Sequence, residues 1–193
     1  MLIGDSIVKY LNFKEAVVLA WRGLTTIRLS HFLENEDFFI SNHKMIIIHT
    51  GINDVLNGID SDAFEDAIRK VISLVQSKSS SPLLISSILP APSLTTTQEE
   101  KRQHFDNILQ YVCANLNIKF LASYRSLFAS QGKKKHYRKK SKVTKILKEK
   151  IAQKTLTPVS VDPLLFSCDS LHLNRIGNYV LTQYFEGCFK MCL

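Results

Sequence analysis

The chain has 193 residues, a length that suits one core, since single cores grow to roughly 100 to 200 residues before chains divide. Hydrophobic residues make up 45% and charged residues 22%, an ordinary globular composition that excludes a wholly disordered or fibrous protein. The net charge of +8 is concentrated: from Lys133 to Lys150 ten Lys or Arg stand against one Glu, a local +9, so the rest of the chain carries −1. A basic character spread over the whole surface is thereby excluded.

Four cysteines (Cys113, Cys168, Cys188, Cys192) are scattered with no C-x-x-C pair and no accompanying histidine spacing, so zinc ligation is not expected and free thiols in a reducing compartment are. No basic segment followed by an apolar run opens the chain, and no apolar stretch approaches the ~18 residues of a membrane span. A cytoplasmic protein without a transmembrane segment is the expectation, with residues 1–193 forming a single domain.

Taken in chain order, the first apolar run is Leu2-Ile3, a very short strand followed by Gly4-Asp5-Ser6. Residues 16–20 read as the second strand, then come Gly23-Leu24-Thr25 and a short helix over 26–33. The third strand covers 45–49 and runs into Gly51-Ile52-Asn53-Asp54. The clearest helix follows, with Phe64, Ala67, Ile68, Val71, Ile72 and Val75 on one face behind Asp62 and Glu65 as a capping pair. A fourth strand at 83–89 leads to Pro90-Ala91-Pro92, a proline-stiffened segment that reads equally as the wall of a site or as a simple loop, and Phe105, Ile108, Leu109 and Val112 mark the next helix. The fifth strand is at 118–122. A basic insertion at about 133–154 follows, in which Val143, Ile146, Leu147 and Ile151 have helical spacing. Asp169-Ser170-Leu171-His172 then precedes a last helix over 174–189, which Asn174 can cap.

Strands alternating with helices predict a parallel sheet covered on both faces, because right-handed crossovers join successive strands. The expected fold is a flavodoxin-like three-layer α/β/α sandwich with five parallel strands. Open sheets of this kind hold their sites beyond the carboxyl ends of the strands, where the four polar blocks lie.

A serine hydroxyl is a weak nucleophile at neutral pH; it needs an imidazole to take its proton and a carboxylate to hold that imidazole in the right tautomer. Ser6, His172 and Asp169 are the candidates for these roles. The oxyanion of a tetrahedral intermediate needs preset donors, for which Gly23, whose backbone N–H can approach unobstructed, and the Asn53 amide are candidates beside the Ser6 N–H. Asp5 and Asp54 are read as turn or cap residues, His49 as a structural hydrogen-bonding group, and Cys168 as a packed or partly exposed thiol.

In these blocks the chain resembles the SGNH (GDSL-type) hydrolases, a family named for Ser, Gly, Asn and His, here Ser6, Gly23, Asn53 and His172. The resemblance implies an α/β/α fold, hydrolysis of carboxylic esters or thioesters through an acyl-enzyme, and no metal or cofactor. The wording Gly-Asp-Ser-Ile-Val, His-Thr-Gly-Ile-Asn-Asp and Asp-Ser-Leu-His-Leu-Asn-Arg-Ile-Gly further resembles esterase domains carried by some animal non-LTR retrotransposons. The expected activity is a serine esterase acting on short acyl or acetyl esters or on lipid esters. The alternative is a retroelement-derived module, weak or inactive in catalysis, that binds nucleic acid through Lys133 to Lys150; the same segment could instead meet an anionic membrane surface.

Overall fold

The computed structural model describes residues 1–14, 16–35, 43–122, 125–128 and 161–191. The basic segment from Lys133 to Lys150 and the helical spacing around Val143 lie outside the described residues. The elements, in order, are β1 (Leu2–Gly4), β2 (Val18–Ala20), α1 (Thr26–Asn35), β3 (Ile46–His49), α2 (Ile52–Leu56), α3 (Ser61–Lys78), β4 (Leu83–Ser86), α4 (Thr96–Asn115), β5 (Lys119–Leu121), α5 (Arg125–Phe128), a 3-10 turn (Pro163–Leu165) and α6 (Arg175–Met191).

Five strands form one parallel sheet in the order β2-β1-β3-β4-β5. The inner strands β1, β3 and β4 are buried at every residue, as continuous apolar runs in a sheet covered on both faces should be. Although β1 has only three residues, it is not a loose end: it pairs with β2 on one side and β3 on the other, and Leu2 and Ile3 are fully enclosed. With right-handed crossovers α1, α3 and α4 share one face, α3 packing against both of the others. On the other face α6 brings Phe185 against the His49 ring and Phe189 edge-on to Phe13.

The apolar stripe of α3 is buried at all six expected positions, and Phe64 stacks on Phe105 of α4 at 4.1 Å between ring centres. Its cap is not the expected Asp62 and Glu65 pair. Asp60 is the N-cap and accepts from the Asp62 N–H, while Glu65 pairs with Arg69 one turn on. Helix α4 starts with a full capping box from Thr95 and Gln98. Strand β4 ends at Ser86, three residues short of the expected 83–89. The cause is α4: Asp106 accepts from the Ile88 N–H at 2.8 Å and the Ser87 hydroxyl at 3.0 Å, and Arg102 donates to the Ile88 carbonyl at 3.0 Å. Backbone groups that would have continued the ladder are thus turned toward the helix. Arg102 is fully buried between Glu99 and Asp106, and a lone buried guanidinium would be costly without both partners.

Candidate active site

Sheet register sets the frame. Gly4 is aligned with Ala20 on one side and His49 on the other, so the segments after β1, β2 and β3 leave the sheet at one level. They carry Ser6, Gly23 and Asn53. The close approach at Gly4 requires glycine, because a Cβ there would sit 2.4 Å from the His49 carbonyl oxygen and 2.8 Å from a Val8 methyl. The turn after it is held by the Asp5 N–H donating to the His49 carbonyl at 3.3 Å and by the Asp5 carboxylate accepting from the Ile7 N–H at 2.9 Å. Ser6 sits half-buried at the head of this turn.

From the other end of the chain, His172 reaches Ser6: its Nε2 lies 3.0 Å from Ser6 Oγ. His172 Nδ1 lies 2.5 Å from Asp169 Oδ2. A carboxylate can only accept, so Nδ1 carries the hydrogen and Nε2 presents its lone pair to the Ser6 hydroxyl. Asp169 Oδ1 also accepts from the backbone N–H of Leu171 and His172, each at 3.0 Å. The His172 side chain foremost, then these N–H groups, hold the Asp169 carboxyl down at about 2. Because the His172 and Asp169 side chains are 37% and 48% exposed, solvent screens the pair and that shift speaks for orientation more than for fold stability.

The loop bearing this pair is locally self-supporting. Ser170 adopts a positive φ of 55°, the Ser167 N–H donates to the His172 carbonyl at 2.7 Å, and Phe166 and Leu173 form an antiparallel bridge. Asn174 caps α6, accepting from Ile176 and Gly177 while its amide donates to the carbonyls of Leu164 and Phe166. Gly177 lets the helix close on this loop, since a Cβ would lie 2.1 Å from the Leu165 carbonyl oxygen. Gly177→Ala is therefore expected to lower stability by about 1 to 3 kcal/mol through overpacking, measured by denaturant titration. The loop after β4 docks here as well: the Ser93 N–H donates to the Ser170 carbonyl at 3.1 Å.

Gly23 has φ +67°, a conformation that suits glycine, and nothing approaches within 4 Å of where a Cβ would be. Asn53, in the first turn of α2, donates one amide hydrogen to the Leu24 carbonyl at 3.0 Å and has a second to offer. Asp5 and Asp54, set aside as turn residues, are both fully enclosed. Burial pushes the Asp5 carboxyl up to about 7, with the neighbouring Asp54 adding to the effect, and pushes Asp54 up to about 6. His49 is also enclosed, bonds Ser86 Oγ at 2.7 Å, and is pushed down to about 4 by burial.

These shifts have opposite signs in stability. The buried Asp5 binds its proton more tightly folded than unfolded, so its contribution is complete below about 3.8, is lost as pH rises through 7 and is constant above. For His49 the contribution is complete above about 6.5 and is lost as pH falls through 4. Asp5→Asn should therefore gain stability relative to the unsubstituted chain as pH rises from 4 to about 7.5, read from melting temperatures of both proteins across that range. A constant difference would show that Asp5 does not titrate as its burial implies.

Cys168, beside Asp169, is an exposed thiol, and Cys113 and Cys188 are buried ones. A cleft lined by Gln76, Ser79, Ser81, Leu83, Asn117 and Lys119 lies at the opposite ends of β4 and β5 and includes none of the candidate residues. Among the described residues no cluster of three metal-ligating side chains occurs, and no helix is long and apolar enough to cross a membrane.

Comparison with known proteins bears on this geometry. The model of the GDSL-like Lipase/Acylhydrolase family matches residues 2–179. Solved structures share the fold: a GDSL-like lipase from Bacteroides thetaiotaomicron has a TM-score of 0.70 at 13% identity, over 100% of this chain and 87% of that one. A member of the lipolytic protein G-D-S-L family from Veillonella parvula has a TM-score of 0.67 at 16% identity, over 98% and 96%. The lipase/acylhydrolase from Enterococcus faecalis has a TM-score of 0.64 at 17% identity, over 98% and 94%. Among curated protein sequences none matches. Since the family model spans nearly all of the sequence, from β1 into α6, the chain is a hydrolase that belongs to the GDSL-like lipase/acylhydrolase family.

Proposed function

We propose that the chain hydrolyses carboxylic esters through an acyl-enzyme on Ser6. The observation that carries this reading is the unbroken line from Ser6 Oγ to His172 Nε2 at 3.0 Å and from His172 Nδ1 to Asp169 Oδ2 at 2.5 Å. Ser6 Oγ bonds to the ester carbonyl carbon as its proton passes to His172 Nε2, and Asp169 stabilises the resulting imidazolium. The carbonyl electron pair moves onto oxygen, where the N–H groups of Ser6, Gly23 and Asn53 meet the charge. Collapse breaks the bond to the alcohol, which leaves with the proton from His172. Water then repeats the sequence, giving its proton to His172 and returning Ser6 to the hydroxyl form.

The substrate is a small-molecule or lipid ester, with acetyl or another short acyl group as the first choice. Hydrolysis of p-nitrophenyl esters of increasing acyl length, with mass spectrometry of the protein after an organophosphonate ester, tests this. Turnover together with a single adduct on Ser6 is expected. Background-level rates and no adduct on a folded chain would remove the esterase reading. The free thiols at Cys113 and Cys168 support a reducing location such as the cytoplasm.

One feature favours a second reading, namely the local +9 from Lys133 to Lys150. Together with the resemblance of three sequence blocks to retrotransposon-borne esterase domains, it supports a module that holds nucleic acid phosphates. Retention on RNA or DNA that falls steeply with salt, without ester turnover, would select that reading, and vesicle retention would select an anionic membrane instead.

A further inference from the structure

The three oxyanion donors proposed above stand on three separate segments, and a donor set is effective only if those segments are held in place before the charge appears. The segment after β1 is tied to its neighbours by the Asp5 N–H to the His49 carbonyl and by the Trp21 N–H to the Gly4 carbonyl at 3.1 Å. Gly23 has no such anchor of its own making: it has no side chain, and even an added Cβ would meet nothing within 4 Å. Its N–H direction is therefore set by the turn it sits in, which the Leu24 N–H closes on the Trp21 carbonyl at 3.4 Å, and by what grips the residues after it.

Two adjacent residues of α2 do so. Asn53 bonds the Leu24 carbonyl. Asp54, whose carboxylate is fully enclosed, accepts from the Thr26 N–H with both oxygens at 3.0 Å and from the Thr26 hydroxyl at 3.1 Å. Thr26 is the first residue of α1, and Thr25 already caps this helix by accepting from the Arg28 N–H at 3.2 Å. The Asp54 carboxylate is thus more than a cap: it spans from α2, which carries one donor, to the start of α1, three residues after another.

We infer that Asp54 is a positioning residue of the oxyanion site, clamping the turn at Gly23 to the helix that carries Asn53. The inference rests on the esterase reading, in which Gly23 and Asn53 receive the oxyanion. A cap alone would affect stability; a clamp also affects the transition state, leaving ground-state binding nearly unchanged.

The test compares unsubstituted chain, Asp54→Ala and Asp54→Asn by p-nitrophenyl acetate kinetics and by amide hydrogen exchange of a peptide covering residues 23–27. For Asp54→Ala, kcat should fall about 10- to 100-fold with KM within about twofold, and exchange should quicken about tenfold. Asp54→Asn, which still offers an oxygen to the Thr26 N–H, should recover most of both. Should Asp54→Ala fail to fold, Thr26→Val removes only the hydroxyl arm and should give the same pattern at about threefold. Unchanged exchange, or quicker exchange with unchanged kcat, overturns the inference while the esterase reading stands. Absence of Ser6-dependent turnover in the unsubstituted chain overturns both.

Discussion

Ser6→Ala is expected to lower kcat for ester hydrolysis on the order of 10⁴- to 10⁶-fold with the fold intact. In the proposed mechanism the oxygen that forms the acyl bond is gone, and His49, buried against Ser86 and Phe185, is held in those contacts. What remains is stabilisation of a water-derived oxyanion by the donors. Stability should hardly change, because Ser6 is half-buried and its side chain bonds His172. His172→Ala should cost about as much, and the double substitution no more than either alone, because serine and imidazole act as one unit. The check is steady-state kinetics of the three variants beside circular dichroism. Additive losses, or a Ser6→Ala protein within tenfold of the unsubstituted rate, would contradict a nucleophilic Ser6.

Asn53→Ala should be the next most damaging change, lowering kcat about 100- to 1000-fold with little change in KM. In the proposed mechanism the lost group is a neutral donor to charge that exists only in the transition state, so ground-state binding is spared. A smaller stability loss of about 1 kcal/mol accompanies it, because the Leu24 carbonyl loses its bond from the Asn53 amide. Kinetics and a denaturant titration on the same sample separate the two effects. A stability loss with kcat within threefold would reduce Asn53 to a brace for Leu24.

Much of this arrangement is legible in the spacing of residues along the chain. Six apolar residues at helical spacing from Phe64 to Val75 had one way to be buried, and all six are. The run Ile46–His49 is enclosed throughout, as unbroken apolar strands of parallel sheets are. Local signals were weaker where two residues were equally eligible: Asp60 and Asp62 both suit an N-cap, and only the path of the chain into α3 decides for Asp60. Helix α2, with five residues, is too short to show a period at all.

The amino-acid sequence by itself determined the alternation of strands and helices, the order of the polar blocks at strand ends, and the pairing of Asp169 with His172. These depend on spacing along the chain, through side-chain periodicity and a turn three residues long. Only the tertiary structure decided where β4 stops, why Arg102 is buried, and which carboxylates leave water. Asp106 reaches Ile88 from 18 positions away, and Asp54 reaches Thr26 from 28. Such contacts exist only once the sheet register has brought distant segments together, and their strength comes from desolvation that no isolated segment provides. The 3.0 Å approach of Ser6 to His172, across 166 positions, is of the same kind: local sequence prepared each half, and the packed sheet and α6 joined them.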